Sequence, residues 1–342
     1  DSATTPSSSS SSSSSLNANC HHKDMFVDND DFKSVIRDGS SNRPEDIEFL
    51  SDGNVVVSDA IKGLLIVNLK EGTTRAACNF DRVNFDPTTE LPNGIHIEKD
   101  GRHVLLADVH LGNMYRCDTS TGDVERIYKH PHWINSVATD SYGRIWFTVV
   151  SEEQQGVDGA DLFGRAFEPR GDGAVWVLEN GQARKVFDGL YFANGIVVSE
   201  DTGHVFVTET AANRLRRVEI DFETATAHGH DVHADVFYPD NVKLAPDGDL
   251  LVASIGGGRV WKISRCPAAK QRLLFKTNNP RYNQLQLDGG DAQFDNSVAF
   301  GSVVAASLDL TAEFVTGAAI DKKGRLYLSG FGDVLRSERS VE

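Results

Sequence analysis

The chain has 342 residues and a mass of 37.4 kDa, enough for one large domain or two ordinary ones. Its 34 Lys and Arg stand against 50 Asp and Glu, which gives a formal net charge of −16. Such an acidic chain lacks the clustered cations that binding to nucleic acid or to an anionic membrane surface requires. No apolar run approaches the roughly 18 residues that span a bilayer, and 30 glycines with only 2 methionines favour a turn-rich β protein.

The N-terminal segment contains an unbroken serine run, Ser7–Ser15, with no apolar side chain to bury. We therefore predict a disordered tail over residues 1–30 and a folded domain over residues 31–342. A serine- and threonine-rich stalk, in a chain that begins at Asp1, favours a secreted or extracellular protein, with a cytoplasmic location as the alternative.

The cysteines show no CxxC spacing, which argues against a zinc site. They are Cys20, Cys78, Cys117 and Cys266. An even number permits two disulfides in an oxidising compartment, or four thiols in a reducing one. Cys20 is the strongest candidate for a disulfide, because it would tie the N-terminal segment to the folded domain.

A repeated strand pattern dominates the rest of the chain. A polar residue, an alternating apolar strand, a glycine turn and a second apolar strand recur in six copies, which begin at Glu45, Asn93, Asn135, Asn194, Asp240 and Thr316. Third and fourth strands follow, as in LLIVNL and TRAACNF after the first copy. Four strands in each of six units predict an all-β fold, a six-bladed β-propeller. Stacking the sheets in a ring buries both faces of each sheet and limits exposed edges.

Two other segments extend this prediction. The stretch DFKSVIRDG, residues 31–39, is expected to supply the outer strand of the last blade and so close the ring. The stretch from about Lys276 to Phe300 is rich in Asn, Gln, Asp and Gly, and is expected to form a long loop over one face, in the manner of a lid. No helical periodicity separates the strands, which argues against an α/β fold.

The polar residue that opens each copy predicts a metal site. In a propeller the first strand of every blade lines the central channel, so the six equivalent residues converge on one axis. All six offer oxygen and two are carboxylates, which suits a calcium ion. The alternative is that the Asn-Gly and Asp-Asn pairs are ordinary turns. That alternative fits the set less well, because the glycine turn comes eight residues later in five of the copies.

Aromatic residues stand two positions before three of these polar residues. They are Trp133, Phe192 and Tyr238. Large aromatic side chains above a metal ion would wall a substrate pocket; the alternative role is packing at the rim of the blades.

Resemblance to a known family rests on four segments, PEDIEFLSDGNVVVSD, LPNGIHIEKDGRHVLLADVH, FANGIVVSEDTGHVFVTE and YPDNVKLAPDGDLLVAS. They resemble the serum paraoxonase/arylesterase family. More broadly, they are similar to the superfamily of gluconolactonase (senescence marker protein), diisopropyl fluorophosphatase and strictosidine synthase-like proteins. The resemblance covers about Pro44 to Gly330 and implies a six-bladed propeller. It also implies a catalytic Ca²⁺ in the channel and hydrolysis of lactones, aryl esters or organophosphates.

The resemblance implies a set of calcium ligands, which are Glu45, Asn135, Asn194, Asp240 and Asn241. Asn241 matches a ligand typical of paraoxonases. Strictosidine synthases lack these ligands, so their retention here argues against that branch.

Further positions carry over only in part. Asn93 stands where paraoxonases have the first histidine of a pair, and His110 matches the second. A second, structural calcium of paraoxonases uses acidic residues that match Asp46 and Ser136, and only Asp46 keeps the acid. The resemblance thus supports one catalytic calcium ion and an incomplete second site.

These observations predict a calcium-dependent hydrolase of small lactones or esters. The metal would polarise the carbonyl for attack by water, with His110 or Asp240 as the general base. Asn93 is the third candidate catalytic residue, because several relatives have a substrate- or metal-facing polar residue at its position. Two alternatives stay open: a lyase, isomerase or cyclase on the same scaffold, and a non-catalytic propeller that binds calcium.

Overall fold

Six antiparallel sheets of four strands each make up the described part of the computed structural model. The structure describes residues 32–36, 43–153, 170–255, 258–265, 271–276, 315–330 and 334–340. The first strand of each sheet contacts the first strand of the next, and the sixth sheet returns to the first. The sheets therefore close a ring, and the prediction of an all-β six-bladed propeller is confirmed.

The strands follow one another blade by blade. The chain enters the described fold with β1 (Phe32–Ser34). Blade 1 contains β2 (Ile47–Phe49), β3 (Val55–Asp59), β4 (Gly63–Asn68) and β5 (Thr73–Ala76). Blade 2 contains β6 (Pro92–Ile97), β7 (His103–Asp108), β8 (Asn113–Asp118) and β9 (Asp123–Lys129). Blade 3 contains β10 (Ile134–Thr139), β11 (Ile145–Val149), β12 (Gly173–Glu179) and β13 (Gln182–Leu190).

The other three blades repeat this arrangement. Blade 4 contains β14 (Ala193–Ser199), β15 (His204–Glu209), β16 (Arg214–Asp221) and β17 (Thr226–Asp235). Blade 5 contains β18 (Pro239–Leu244), β19 (Leu250–Ser254), β20 (Arg259–Ile263) and β21 (Gln271–Lys276). Blade 6 contains β22 (Gly317–Ile320), β23 (Arg325–Ser329) and β24 (Val334–Ser340), joined by β1.

The last blade is built from both ends of the described fold. Strand β1 pairs antiparallel with β24, with Phe32 opposite Ser337 and Ser34 opposite Leu335. This is the outer-strand role expected for residues 31–39. The predicted tail over residues 1–30 lies outside the described residues, as does the predicted lid segment beyond Lys276.

The hydrophobic core lies between neighbouring blades, and each of the six interfaces holds its own buried cluster. Strand β3 shows how the sequence produces this arrangement. Val55 and Val57 pack toward blade 6, whereas Val56 between them packs toward blade 2. Successive side chains of a strand point to opposite faces, so an uninterrupted apolar strand fills two interfaces at once.

A disulfide crosses the interface between blades 1 and 2. It joins Cys78, which follows β5, to Cys117 in β8, with Cα atoms 5.9 Å apart. This is one of several pairings that four cysteines permit. Cys20 and Cys266 lie outside the described residues.

Helix is confined to short 3₁₀ turns in the described residues, at Phe80–Val83, Glu200–Thr202 and Thr210–Ala212. None of the helices described here has the length and apolar character needed to cross a membrane.

Candidate metal centre in the central channel

The first strands of blades 2 to 5 each carry a β-bulge at the start of the repeat. In every case three steps along the first strand match two steps along the second strand. The residue pairs inside the bulges are Asn93-Gly94, Asn135-Ser136, Asn194-Gly195 and Asp240-Asn241. A bulge interrupts the ladder and re-aims the side chains within it. The bulges therefore coincide with the polar positions from which the sequence predicts a metal site.

In blades 2 and 4 the residue after the polar one is glycine, because the first strand of the next blade lies too close to leave room for a side chain. A Cβ atom on Gly195 would lie 2.5 Å from the Val242 nitrogen, and one on Gly94 would lie 2.7 Å from the Ser136 Cα. Neither glycine has a positive φ, so neither forms a left-handed turn. The alternative interpretation of these Asn-Gly pairs as turn formers is wrong, since they mark the contact between blades around the channel.

Two amide side chains link the blades around the channel. The Asn194 Nδ2 group donates hydrogen bonds to Asp240 Oδ1 at 2.6 Å and to Thr210 Oγ1 at 3.0 Å. The Asn241 Nδ2 group donates to Glu45 Oε1 at 2.9 Å. Blades 4, 5 and 1 are thus joined by amide-to-carboxylate bonds that orient both carboxylates.

Five oxygen atoms of this set are buried and have no hydrogen-bond partner among the described residues. They are Glu45 Oε2, Asn93 Oδ1, Asn135 Oδ1, Asn194 Oδ1 and Asn241 Oδ1. Buried polar atoms nearly always find a partner, so a group of unpaired oxygens is a set of electron-pair donors that a bound cation would satisfy. Carboxylate and amide oxygens are the ligands that Ca²⁺ prefers, and the donor set fits this ion.

The two carboxylates of the centre are strongly destabilised as anions. Burial raises the pKa of Asp240 to about 7, against the lowering effect of the Asn194 hydrogen bond. Burial, together with the nearby Asp240 and Asp46 charges, raises the pKa of Glu45 well above its ordinary value. Buried anions of like charge are stabilised by a cation between them, which agrees with the oxygen donor set.

The centre depends on amides as well as acids. Within the described ranges, no group of three or more His, Cys, Asp or Glu side chains is placed to hold a metal ion. The sixth position also differs from the others, because the Thr316 hydroxyl donates to the Glu45 main-chain oxygen at 2.6 Å. Thr316 therefore braces the backbone of Glu45.

The comparisons with known proteins agree with this architecture. A family model described as the SMP-30/Gluconolactonase/LRE-like region matches residues 112–282, which is half of the chain. The chain belongs to this family. The matched region includes Asn135, Asn194 and Asp240 and begins after Glu45 and Asn93.

Individual members and neighbours are distant in sequence. Lactonase drp35 of Staphylococcus haemolyticus is 25% identical over 237 residues, which cover 62% of this chain and 69% of that protein. A solved gluconolactonase of Xanthomonas campestris has a TM-score of 0.58 at 14% identity, covering 89% of this chain and 88% of its own. Regucalcin of Agrobacterium tumefaciens, described as a calcium-binding protein, has a TM-score of 0.58 at 15% identity, with coverages of 90% and 93%. The structural likeness at these identities supports the propeller fold.

Hydroxyl groups on the second strands hold the channel of this SMP-30/gluconolactonase-family chain together, and sequence reasoning missed them. The Thr208 Oγ1 atom accepts from the Gly195 N–H at 2.7 Å and donates to the Asp240 main-chain oxygen at 2.5 Å. Thr148 makes the equivalent pair of bonds one blade earlier. A signal was available, because a hydroxyl residue stands five positions after the turn glycine in blades 1, 3, 4 and 6, at Ser58, Thr148, Thr208 and Ser329.

The three predicted aromatic residues have different surroundings. Trp133, only 1% exposed, packs with Phe192, Val109 and Val150 in a buried cluster. The Tyr238 ring is partly exposed and lies edge-on to Phe237 at 4.5 Å between centroids. Their contact with a substrate stays a prediction.

Backbone strain recurs beside the centre. Arg43, Phe192 and Tyr238 have φ values of 54°, 54° and 42°, in the left-handed region that residues other than glycine rarely adopt. Each precedes a predicted ligand by two positions, in blades 1, 4 and 5. Strain of this kind concentrates at functional sites, and its repetition at equivalent positions supports a function for this end of the channel.

His110 lies at the same end of the channel as Asn93. It follows β7, whose last residue, Asp108, pairs with Pro92 at the start of β6. The buried Asp108 carboxylate accepts from the His110 N–H at 3.1 Å and from the Leu91 N–H at 2.8 Å. Asp108 thus fixes the His110 turn against the segment that leads into Asn93, a role that sequence reasoning missed.

Proposed function

We propose that the chain is a calcium-dependent hydrolase of lactones or simple esters. The observation that carries the proposal is the group of buried, unpaired carboxylate and amide oxygens at the channel bulges. Relatives with the names lactonase and gluconolactonase, and a structural neighbour described as calcium-binding, support the same activity and the same ion.

The ion would be held by the predicted ligands Glu45, Asn135, Asn194, Asp240 and Asn241. A bound divalent cation supplies Lewis-acid polarisation of the substrate carbonyl and stabilises the developing oxyanion. The chain's own contribution is orientation. The amide nitrogens of Asn194 and Asn241 fix the two carboxylates, and their oxygens remain for coordination.

His110 is our candidate for the base that takes a proton from the attacking water. It lies at the channel end where the first strands begin, and an unperturbed imidazole accepts a proton near neutral pH. Asp240 is the competing candidate, but coordination to a cation would lower its basicity. Asn93 belongs to the same blade as His110, and its buried side-chain oxygen is our candidate for a contact with the substrate or the ion.

Two finer assignments belong to the proposal. A paraoxonase-like specificity, including aryl esters, rests on the presence of Asp46, His110 and Asn241, with Trp133, Phe192 and Tyr238 as the proposed walls of a substrate pocket. A secreted or extracellular location is supported by the Cys78–Cys117 disulfide, because such bonds persist in oxidising compartments.

The test compares the full chain before and after removal of divalent cations with EGTA, using a δ-lactone and an aryl acetate as substrates. We expect turnover to vanish in the chelator and to return with CaCl₂. Asp240→Ala should be inactive in either state, whereas Glu219→Ala, which removes an exposed carboxylate from β16, should behave as wild type. Turnover that persists in EGTA, or an active Asp240→Ala protein, would contradict the proposal.

A further inference from the structure

A lysine side chain crosses the channel next to the candidate metal centre. Lys243 belongs to β18 in blade 5, and its side chain is 12% exposed. Its Nζ atom lies 2.7 Å from Asp46 Oδ2, 2.7 Å from Glu48 Oε1 and 2.5 Å from the Ile95 main-chain oxygen. These partners belong to blades 1 and 2, so one ammonium group ties together three blades.

The oxygens around this ammonium are firmly oriented. The Asp46 carboxylate also accepts the N–H groups of Ile47 and Ile95, each at 2.8 Å. Glu48 Oε2 accepts the Ile97 N–H at 2.8 Å. The site is therefore a rigid oxygen cluster whose geometry is set by the backbones of blades 1 and 2.

A histidine also borders the cluster. His96 Nδ1 lies 3.7 Å from Glu48 Oε1, and His96 Nε2 lies 2.9 Å from Thr139 Oγ1. Burial opposes the charge on Lys243, but the Asp46 and Glu48 carboxylates outweigh this effect and raise the Lys243 pKa above its usual value. The ammonium group of Lys243 is thus held between two carboxylates.

Two carboxylates and a main-chain carbonyl converging on one point are also the ligand types that a calcium ion takes. The cluster is contiguous with the candidate metal centre, because Asp46 follows Glu45 in the chain and Lys243 follows Asn241 by two residues. A second divalent ion could compete for these oxygens only by displacing the ammonium group.

We propose that the Lys243 ammonium is a built-in cation that occupies this second oxygen cluster, so that the described channel takes one divalent ion instead of two. The expectation that wild type binds one calcium ion rests on the metal centre of the proposed function. The expectation that it binds no second ion rests on the Lys243 contacts alone. Replacing Lys243 by a neutral side chain should therefore convert the cluster into an additional calcium site.

The experiment counts calcium bound per full-length chain by isothermal titration with CaCl₂ after chelation and gel filtration. Wild type should bind one ion and Lys243→Met should bind one more. The melting temperature of Lys243→Met should be lower than that of wild type in EGTA and should recover with calcium. Lys243→Arg keeps the charge and should bind one ion.

Two controls separate a new site from general damage. Lys262→Met removes a 4% exposed lysine that is ion-paired with Asp247 elsewhere in blade 5, and should add no calcium. The double variant Asp46→Asn/Lys243→Met removes one charge of each sign together with a ligand, and should also add none. If Lys243→Met is recovered only in calcium, the metal content of the purified protein gives the count.

The outcomes distinguish this inference from the proposed function. One ion in both wild type and Lys243→Met, or an equal gain in Lys262→Met, would overturn the role of Lys243 and leave the metal centre intact. No ion in wild type but one in Lys243→Met would overturn the metal centre and support the role of Lys243. No ion in either protein would overturn both.

Discussion

Asn194 and Asp240, which come from neighbouring blades, are joined by a 2.6 Å hydrogen bond from the amide nitrogen of Asn194 to Oδ1 of Asp240. The bond uses the donor end of the amide and leaves its oxygen buried without a partner among the described residues. One side chain thus orients a carboxylate and also presents its own oxygen to the channel.

Loss of the Asn194 amide should therefore remove both functions. Asn194→Ala is expected to lower kcat/KM on a lactone by about 100-fold or more, since even residues that only support a metal ligand are typically worth 10–100-fold. Asn194→Asp keeps an oxygen but places a second anion against Asp240, so its activity should recover in part at high calcium. Steady-state kinetics over a calcium titration measure both effects, and wild-type kinetics in Asn194→Ala would contradict the assignment.

The metal-free protein should lose stability as the pH rises toward 7. Burial raises the folded-state pKa of Asp240 to about 7, whereas an unfolded aspartate titrates near about 3.9. The folded chain then retains a proton that the unfolded chain has released. The stabilisation is complete below about pH 4 and is lost as the pH passes through the folded-state value.

Melting temperatures of EGTA-treated protein between pH 4 and pH 8 measure this effect. The fall in melting temperature with rising pH should be steeper in wild type than in Asp240→Asn, whose amide cannot titrate. Asp108, whose pKa burial also raises to about 7, contributes equally to both proteins. Parallel curves would show that Asp240 titrates normally.

Adding a methyl group to Gly195 should separate blades 4 and 5. Its Cβ would lie 2.5 Å from the Val242 nitrogen and 2.8 Å from the Asp240 main-chain oxygen, and backbone atoms cannot yield as a flexible side chain can. We expect Gly195→Ala to lower the free energy of unfolding by about 1–3 kcal/mol or more and to weaken calcium binding. Urea unfolding and calcium titration test this.

The matched control is Gly229→Ala in β17 of the same blade. There the nearest atom to a new Cβ is Glu219 Oε2, at 3.7 Å. That variant should keep wild-type stability within about 0.5 kcal/mol, the usual range for surface substitutions. Equal losses of stability in both variants would indicate that any added methyl group destabilises this blade. They would contradict the explanation that Gly195 is required by the close approach of β18.

Removing the Thr208 hydroxyl should loosen the centre while preserving the shape of the side chain. Thr208→Val leaves the Gly195 N–H without its acceptor, which costs about 1–3 kcal/mol for a buried group. Calcium affinity should fall by about 10–100-fold, as for other residues that orient metal ligands. Thr226→Val, on the exposed outer strand of the same blade, is the control. Unchanged affinity in Thr208→Val would rule out its orienting role.

Opening the Cys78–Cys117 disulfide should destabilise the protein without altering the channel. The bond closes a loop of 39 residues, and the chain-entropy model assigns such a loop about 4 kcal/mol. Cys78→Ala/Cys117→Ala should therefore unfold at lower urea concentration and bind calcium with wild-type affinity. A loss of calcium affinity in the folded variant would link the disulfide to the centre.

The fold and the neighbourhood of the predicted ligands were accessible from the sequence because one pattern repeats. Six copies define the blades, and the first polar residues Asn194 and Asp240 lie together in the structure. Asn241, which contacts Glu45, was predicted from the family resemblance, and the binding of a metal ion stays a prediction. The bulges were not predictable, because one extra residue in a strand has no signature of its own, and this led to the turn interpretation of Asn-Gly.

The contacts across the channel were inaccessible for a different reason. Lys243 meets Asp46 and Glu48 after a separation of about 200 residues, and no local pattern indicates which carboxylate a lysine will reach. The disulfide is similar, since four cysteines permit several pairings. The second-strand hydroxyls did recur at a fixed spacing, but their hydrogen bonds form only because bulges in their own blade and in the next blade bring the partners within reach.

The pairing of β1 with β24 also governs how the molecule is made. On the ribosome, blades 1 to 5 can assemble in order as the chain emerges, while the strand at residues 32–34 waits for a partner that is synthesised about 300 residues later. Until residues 334–340 have emerged, the ring is open, and the faces of blades 1 and 5 that blade 6 will cover are exposed to water. The nascent chain thus exposes apolar surface that favours aggregation until residues 334–340 complete the last blade.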